Sequence, residues 1–264
     1  HTDLYDFFPS TNFKLNFSTA FRAPNIDDVG KIFDSEPGSV VVPNPDLKPE
    51  YAYNGELGAS LNFEDVVRLD LTTYITFLED AMVRRDFEIN GQTEIIYQGE
   101  LSNVQAIQNG GKAEIYGFEV GVEINFSKQL QLNSHYNITE GSQEEEDGSN
   151  VAVRHVAPQF GSTHLLWKYK KWTLDAFSEY NGKFNFEDLA PSEQNKPFLY
   201  ALDENGNPYS PSWYTLNFGA QYQITEALQV NSTLENISNQ RYRTYSSGIA
   251  SPGLNLIVAL KYKF

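Results

Sequence analysis

Apolar and polar residues alternate with a period of two along most of this chain. Phe13, Leu15, Phe17, Thr19 and Phe21 share one face, and Lys14, Asn16, Ser18 and Ala20 the other. The same pattern runs through 51–63, 67–77, 116–126, 130–138, 165–169, 172–176, 214–224 and 228–234. It closes at the end of the chain, where Leu254, Leu256, Val258, Leu260, Tyr262 and Phe264 fall together and Asn255, Ile257, Ala259, Lys261 and Lys263 oppose them. Period two puts successive side chains on opposite faces of an extended strand. About ten strands follow. Most approach the roughly 9–11 residues a tilted strand needs to cross a bilayer, against about 5–6 for soluble strands. The last strand, taken alone, would also suit a soluble sandwich.

The connections sort into two kinds. Short ones lie near Glu64-Asp65, Ser127-Lys128, Lys170-Lys171 and Thr225-Glu226; long ones are expected over 22–50, 80–111, 141–155, 184–211 and 238–253. They alternate throughout, which places all short turns on one rim and all long loops on the other. That is the arrangement of an outer-membrane barrel with short periplasmic turns and long extracellular loops. Phe63, Phe126, Tyr169, Trp172, Tyr222, Tyr262 and Phe264 all sit beside the short-turn rim, where an interfacial aromatic girdle belongs; cross-strand pairing in a core is the alternative. The second face carries Glu56, Asp70, Glu119, Glu123, Asp175, Glu179 and Glu235 with Lys14, Arg68 and Lys168. In a sandwich core each such charge would cost several kcal/mol. A wet lumen removes that cost. The fold class is therefore all-β, a transmembrane antiparallel β-barrel.

Composition fits this picture. The chain has 264 residues, no cysteine, a net charge of -16 and 34 Phe and Tyr residues (18 and 16). Its mean hydropathy of -0.46 is an average over one greasy and one wet face. The missing cysteines exclude disulfide scaffolds, Cys-ligated metal sites and thiol nucleophiles. The acidic balance excludes a phosphate-backbone binder, so no nucleic-acid partner is expected. No run is apolar and long enough for a membrane helix. His1 to Pro9 carry no signal-peptide pattern, so the chain is expected to be a mature product or a piece of something longer.

Several motifs together resemble those of TonB-dependent outer-membrane receptors. Phe21-Arg22-Ala23-Pro24 ends the first strand, and Asn44-Pro45-Asp46-Leu47-Lys48-Pro49-Glu50 opens the second. Further matches are 112–119 (KAEIYGFE), 234–242 (LENISNQRY), 245–253 (YSSGIASPG) and the terminal Phe264. The resemblance covers essentially the whole chain, and its first two boxes are similar to those of the haem, haemoglobin and siderophore branch. It implies a plug domain and a TonB-contacting segment, neither of them in this sequence, inside a barrel of about 22 strands. On this reading residues 1–264 are the C-terminal portion of the receptor barrel; a self-contained ten-stranded barrel is the alternative. The implied function is active uptake of a scarce, large nutrient such as a ferric siderophore or haem. The implied setting is the outer membrane of a Gram-negative bacterium. The implied partners are lipid, TonB and the plug, the ligand, and the barrel-assembly machinery that reads a C-terminal strand ending in Phe264.

The residues support few specific sites. Arg22 is open to pairing with a plug carboxylate or with Asp27 or Asp28, and the second is favoured as rim scaffolding. Family resemblance implies a haem-ligating His between the first two boxes, but 25–43 contains none. His135 and His164, on the lumen face, and His155, at the outer rim, are the remaining candidates for ligand contact. A lone lumen His is more often plain lining. Tyr209, Tyr242 and Tyr245 either stack on a ligand or anchor loops. The run Glu144-Glu145-Glu146-Asp147 fits no calcium loop and reads as solvated charge. No catalytic constellation, metal site or cofactor is expected. A passive porin or a structural or adhesive barrel would share the alternation but would not need the boxes.

Overall fold

The computed structural model describes residues 9–36, 38–145 and 147–264; the segment before Pro9 and Glu146 of the acidic run lie outside them. Ten long strands form one continuous antiparallel sheet: β1 (Ser10–Arg22), β2 (Glu50–Phe63), β3 (Val67–Asp86), β4 (Glu100–Asn125), β5 (Leu130–Glu144), β6 (Phe160–Tyr169), β7 (Trp172–Asn181), β8 (Trp213–Gln223), β9 (Leu228–Glu235) and β10 (Asn255–Tyr262). Each pairs with the next in chain order, and the path ends at β1 and β10 without joining them. Among the described residues the ten strands are thus one open sheet. No described helix is long and apolar enough to cross a membrane.

The alternation fixes which face is which. Phe13, Phe17, Phe21, Leu57, Leu216, Leu256 and Leu260 are all exposed on the apolar face. On the polar face, side chains satisfy one another along and across strands. Gln131 donates to Asn125 (3.0 Å), and Asn125 to Glu123 (3.2 Å). Tyr74 and Gly117 are register partners, as are Gly117 and Thr139. The Tyr74 ring lies over Gly117, where any Cβ would overlap it, and its hydroxyl reaches Thr139 Oγ1 at 2.8 Å.

Short turns close one rim by local chemistry. Ser127 Oγ accepts from the amides of Gln129 and Leu130, both at 3.1 Å. Thr225 Oγ1 does the same for Ala227 and Leu228. Such side chains substitute for a backbone turn bond. Beside this rim Trp172 packs on Tyr222 (4.5 Å between ring centroids), Trp167 on Tyr169 (5.6 Å) and Tyr262 on Phe264 (5.0 Å).

Two of the expected long loops are largely sheet. β3 runs on to Asp86 and β4 begins at Glu100, so most of 80–111 is a hairpin projecting past the rim. The register slips between Leu78, Ala81 and Met82, and Asp80 is left-handed (φ 54°). That irregularity interrupts the alternation, which is why the strand reads as ending there. β5 likewise extends to Glu144 and pairs with Asn150–Ala152. Ser39–Val42 pairs in parallel with 103–106 of β4. Val40, Val42, Val104 and Ala106 form a buried cluster there, packed by Phe87, Ile89, Ile95 and Tyr97. The dry core of this molecule therefore lies in its outer segments, not between layers of sheet.

Candidate functional site: a recess on the polar face and its roof

Polar-face residues of six strands meet outer-loop residues around a recess of about 910 Å³. Asp70 of β3, Glu119 of β4, His135 and Asn137 of β5 and Glu179 of β7 line its wall; His155, Trp213 and Tyr245 approach from the outer rim. Asp70 accepts from Arg68 (2.8 Å) and Ser60 Oγ (2.5 Å), and Glu119 from Asn137 (2.8 Å). The recess thus brings together two of the three candidate histidines. The third, His164, lies outside it, with Nδ1 at 3.0 Å from Asp175 and its ring stacked on Phe177. His155 sits in a left-handed turn (φ 67°) next to Arg154.

A buried carboxylate holds the roof. Helix α1 (Ile26–Gly30) belongs to the loop after β1; helix α2 (Pro191–Gln194) lies in the loop after β7 and starts with Pro191 at its first turn. Proline suits that place because its missing N–H would be unpaired anyway. The Glu193 residue of α2 is fully buried. Its two oxygens accept from Tyr245 Oη (2.7 Å) and Ser246 Oγ (2.6 Å), and Arg154 Nε stands at 3.6 Å. Burial pushes the Glu193 carboxyl up, but the hydrogen bonds from Ser246 and Tyr245 outweigh it and leave its pKa below the ordinary range. Burial first, then Glu193, pushes the Tyr245 phenol upward; burial raises that of neighbouring Tyr200 to about 12. One side chain thereby ties together three outer loops, those after β5, β7 and β9. No motif marks Glu193 in the sequence; its only signal is an acidic residue in the first turn after Pro191.

The loop after β9 has its own centre at Asn236, buried and left-handed (φ 48°). Its amide nitrogen side chain donates to the carbonyls of Gln240 (2.8 Å) and Pro252 (3.1 Å), its Oδ1 accepts from the Gln240 amide (2.9 Å), and its backbone N–H donates to Asn217 Oδ1 (2.8 Å). The 234–242 box is thus a loop brace. It sets Tyr242 against Trp213, with ring centroids 4.2 Å apart. These two rings, with Arg241, Arg243 and Tyr200, line a second, outer recess of about 330 Å³. Tyr209 lies outside both recesses, under Lys183 Nζ (5.0 Å to the ring).

The first two boxes also form a brace. Arg22 Nε donates to Glu50 Oε1 at 2.6 Å, and its Nη1 lies 3.5 Å from Asp28; Asp27 pairs with Lys31 instead. Glu50 Oε2 also accepts from the Met82 amide (2.8 Å). Thus Arg22 is paired at the rim, with Glu50 as the partner that spacing did not single out. Phe21 packs near Tyr51, while Ala23 and Pro24 lead into α1, capped by Asn25. Buried Asn44 donates to the Ile107 carbonyl (2.9 Å) and accepts from Asp46 N across Pro45. Half-buried Leu47 follows, and Lys48 N donates to Asn109 Oδ1 (2.7 Å). Phe264 is fully exposed beyond β10. In the acidic run, Glu145 accepts from Gln143 and Asp147 from the Ser149 amide. Among the described residues no cluster of three or more metal-ligating side chains is formed.

Comparison with known proteins agrees with this architecture. The chain is 22% identical over 260 residues to an iron-regulated outer membrane virulence protein of Vibrio cholerae, covering 97% of this chain and 38% of that protein. It is 24% identical over 250 residues to a hemoglobin-binding protein A of Haemophilus influenzae, covering 89% and 24%. The crystal structure of the siderophore receptor PirA from Acinetobacter baumannii superposes with a TM-score of 0.72 at 18% identity, over 96% of this chain and 39% of that one. The chain spans well under half the length of these relatives. Residues 4–237 match the family described as TonB dependent receptor-like, beta-barrel, and the chain belongs to that family.

Proposed function

We propose that these ten strands are the C-terminal part of an outer-membrane receptor of a Gram-negative bacterium. The receptor takes up an iron carrier, a ferric siderophore or haem, by a TonB-dependent route. The observation that carries this reading is the recess on the polar face, about 910 Å³ and roofed by loops locked through one buried carboxylate. A volume of that order suits a ligand, since such sites span about 300–1,000 Å³. The names of the relatives, an iron-regulated outer membrane protein, a hemoglobin-binding protein and a siderophore receptor, support an iron carrier.

In this reading the apolar face meets lipid, and Phe264 ends the strand that the assembly machinery reads. The open edges at β1 and β10 are completed by the rest of the barrel around a plug that contacts TonB. His135 and His155 are the candidates for contact with bound ligand, and no residue has a catalytic role. The test is uptake of radiolabelled iron carriers by cells bearing the full-length protein, with and without a protonophore. Uptake is expected to collapse when the gradient is removed. Uptake that persists would sink the active-receptor reading in favour of a passive pore.

A further inference from the structure

The two ends of the apolar face carry opposite charge. At the long-loop end that face finishes in carboxylates: Glu79 stands two residues past Phe77 on β3, Glu114 is the register partner of Phe77, and Glu140 that of Tyr116. Tyr116 Oη donates to Glu140 Oε2 at 2.6 Å. At the short-turn end the charges are ammonium groups. Lys128 lies in the turn after β4, and Lys170 and Lys171 form the turn after β6; all three are exposed. The Lys168 amide donates to the Gln129 carbonyl at 2.8 Å, so these two turns stand side by side. Lys170 Nζ lies 5.1 Å from the centroid of the Tyr169 ring, which is exposed on the apolar face with Phe126 and Trp172. Lys170 is also left-handed (φ 52°), where glycine or asparagine folds more easily, so the turn geometry gives no reason for a lysine. Lys171 Nζ donates to the Ile224 carbonyl at 3.0 Å, one of its three donors. None of the three lysines forms an ion pair among the described residues. The turns on either side carry Glu64 and Asp65, and Glu226. The basic surface is confined to two turns, in a chain with a net charge of -16.

Resting on the outer-membrane reading above, we propose that the turns after β4 and β6 form a binding site for the headgroup of an anionic phospholipid in the periplasmic leaflet. Short turns are the periplasmic rim of such a barrel. The exposed rings of Phe126, Tyr169 and Trp172 mark the depth at which the bilayer ends, and the three ammonium groups stand just past them, at the level of a headgroup. Lysine carries a compact charge with rotatable donors on a long apolar stem, which suits a mobile phosphate beside acyl chains. Clustered lysines at a membrane surface attract anionic lipid, and the attraction fades within about a Debye length. At the other end of the face Glu79, Glu114 and Glu140 repel the same headgroup, so the charge pattern selects one leaflet. A soluble anion meets only the ammonium groups. An anionic lipid uses both parts of the surface, its phosphate on the lysines and its chains against the rings.

The test titrates the full-length protein in detergent with phosphatidylglycerol and with phosphatidylethanolamine, and counts bound lipid by native mass spectrometry. Phosphatidylglycerol is expected to bind more tightly. Each lysine near a charged membrane surface contributes about fivefold. The triple variant Lys128→Gln, Lys170→Gln, Lys171→Gln is therefore expected to lose about a hundredfold for phosphatidylglycerol and little for phosphatidylethanolamine. The three Lys→Arg changes together should keep the preference. Lys261→Gln, at the same rim but on the polar face, should leave it unchanged, which separates a local site from net charge. Thermal unfolding in detergent checks that the variants stay folded. No preference for the anionic lipid, a preference that survives the triple Gln variant, or an equal loss in Lys261→Gln would overturn the assignment. So would displacement of the lipid by millimolar inorganic phosphate at constant ionic strength, which would mark a bare anion site. Lysine-dependent binding of polyglutamate without lipid preference would give the patch to an acidic protein instead. Gradient-dependent uptake, measured separately, decides the receptor reading whichever way the lipid titration falls.

Discussion

The two rims of this sheet are held by opposite means. At the short-turn rim, Ser127 and Thr225 bond to amides two or three residues away, and Trp172 and Tyr222 stand on neighbouring strands in register. At the long-loop rim, Glu193, Asn236, Asn44 and Glu50 reach partners up to 63 residues away. Local bonds come with the turn itself. Distant polar bonds close only after the strands have brought the loops together, and each is a single point of failure. A recess that takes large ligands needs loops long enough to surround it, and such loops lack a sheet to order them. Buried polar side chains do that ordering here.

The largest break in this comparison is expected from Glu193→Ala. It strands the Tyr245 and Ser246 hydroxyls, and unmet buried donors cost about 1–3 kcal/mol each. Amide hydrogen exchange across 190–202 and 242–246 is expected to lose about 3 kcal/mol of protection, while amides at 127–130 keep theirs. Loss of protection at both rims would mean that the carboxylate holds the whole fold. The same group gives a pH signature. Its folded pKa lies below the unfolded value of 4.5, so its contribution is complete above that value and is lost as pH falls through the folded one. Roof protection should therefore stay flat from neutral to about pH 5 and fall only in stronger acid, and Glu193→Gln should abolish that fall.

Asn236→Ala comes next, at about 2 kcal/mol of local protection, because it removes four side-chain bonds and leaves a non-glycine residue at a left-handed position. Asn236→Gly keeps the backbone easy and loses the bonds, so the difference between the two variants isolates strain, about 1 kcal/mol. A double-mutant cycle between Arg22→Gln and Glu50→Gln should give about 1 kcal/mol or less, since Arg22 is half-exposed and screened; a coupling several times larger would move this brace into the class of Glu193. At the other rim, Lys170→Gly should change stability by less than about 0.5 kcal/mol. It relieves a left-handed lysine (φ 52°) but loses the Lys170 contact with the Tyr169 ring. Thermal unfolding in detergent reads this smallest effect.

Legibility followed the same division. Alternation located all ten strands and their faces, because a half-buried strand must repeat every two residues. It failed at Asp80 and Ala81, where the register slips, and so hid the outer half of the hairpin. The boxes carry no sign of their partners: Arg22 reads as an ion-pairing side chain, yet which carboxylate lies beside it depends on β1 and β2 meeting at Arg22 and Glu50. His135 and His164 share a face and cannot be told apart by parity; only the curvature of the sheet and the approach of the loops put one in the recess and leave the other outside. Glu193 was invisible because its partners come from other loops.

Alternation polices a slip by one residue, since that turns a strand inside out. A slip by two keeps every face correct and passes unnoticed. Tyr74 over Gly117 detects it. Two residues either way would bring Ile115 or Glu119 beneath that ring, and any Cβ there overlaps it. The pairing of β3 with β4 is thereby proofread at one point, and Thr139 on β5, bonded to the same phenol, extends the check to a third strand.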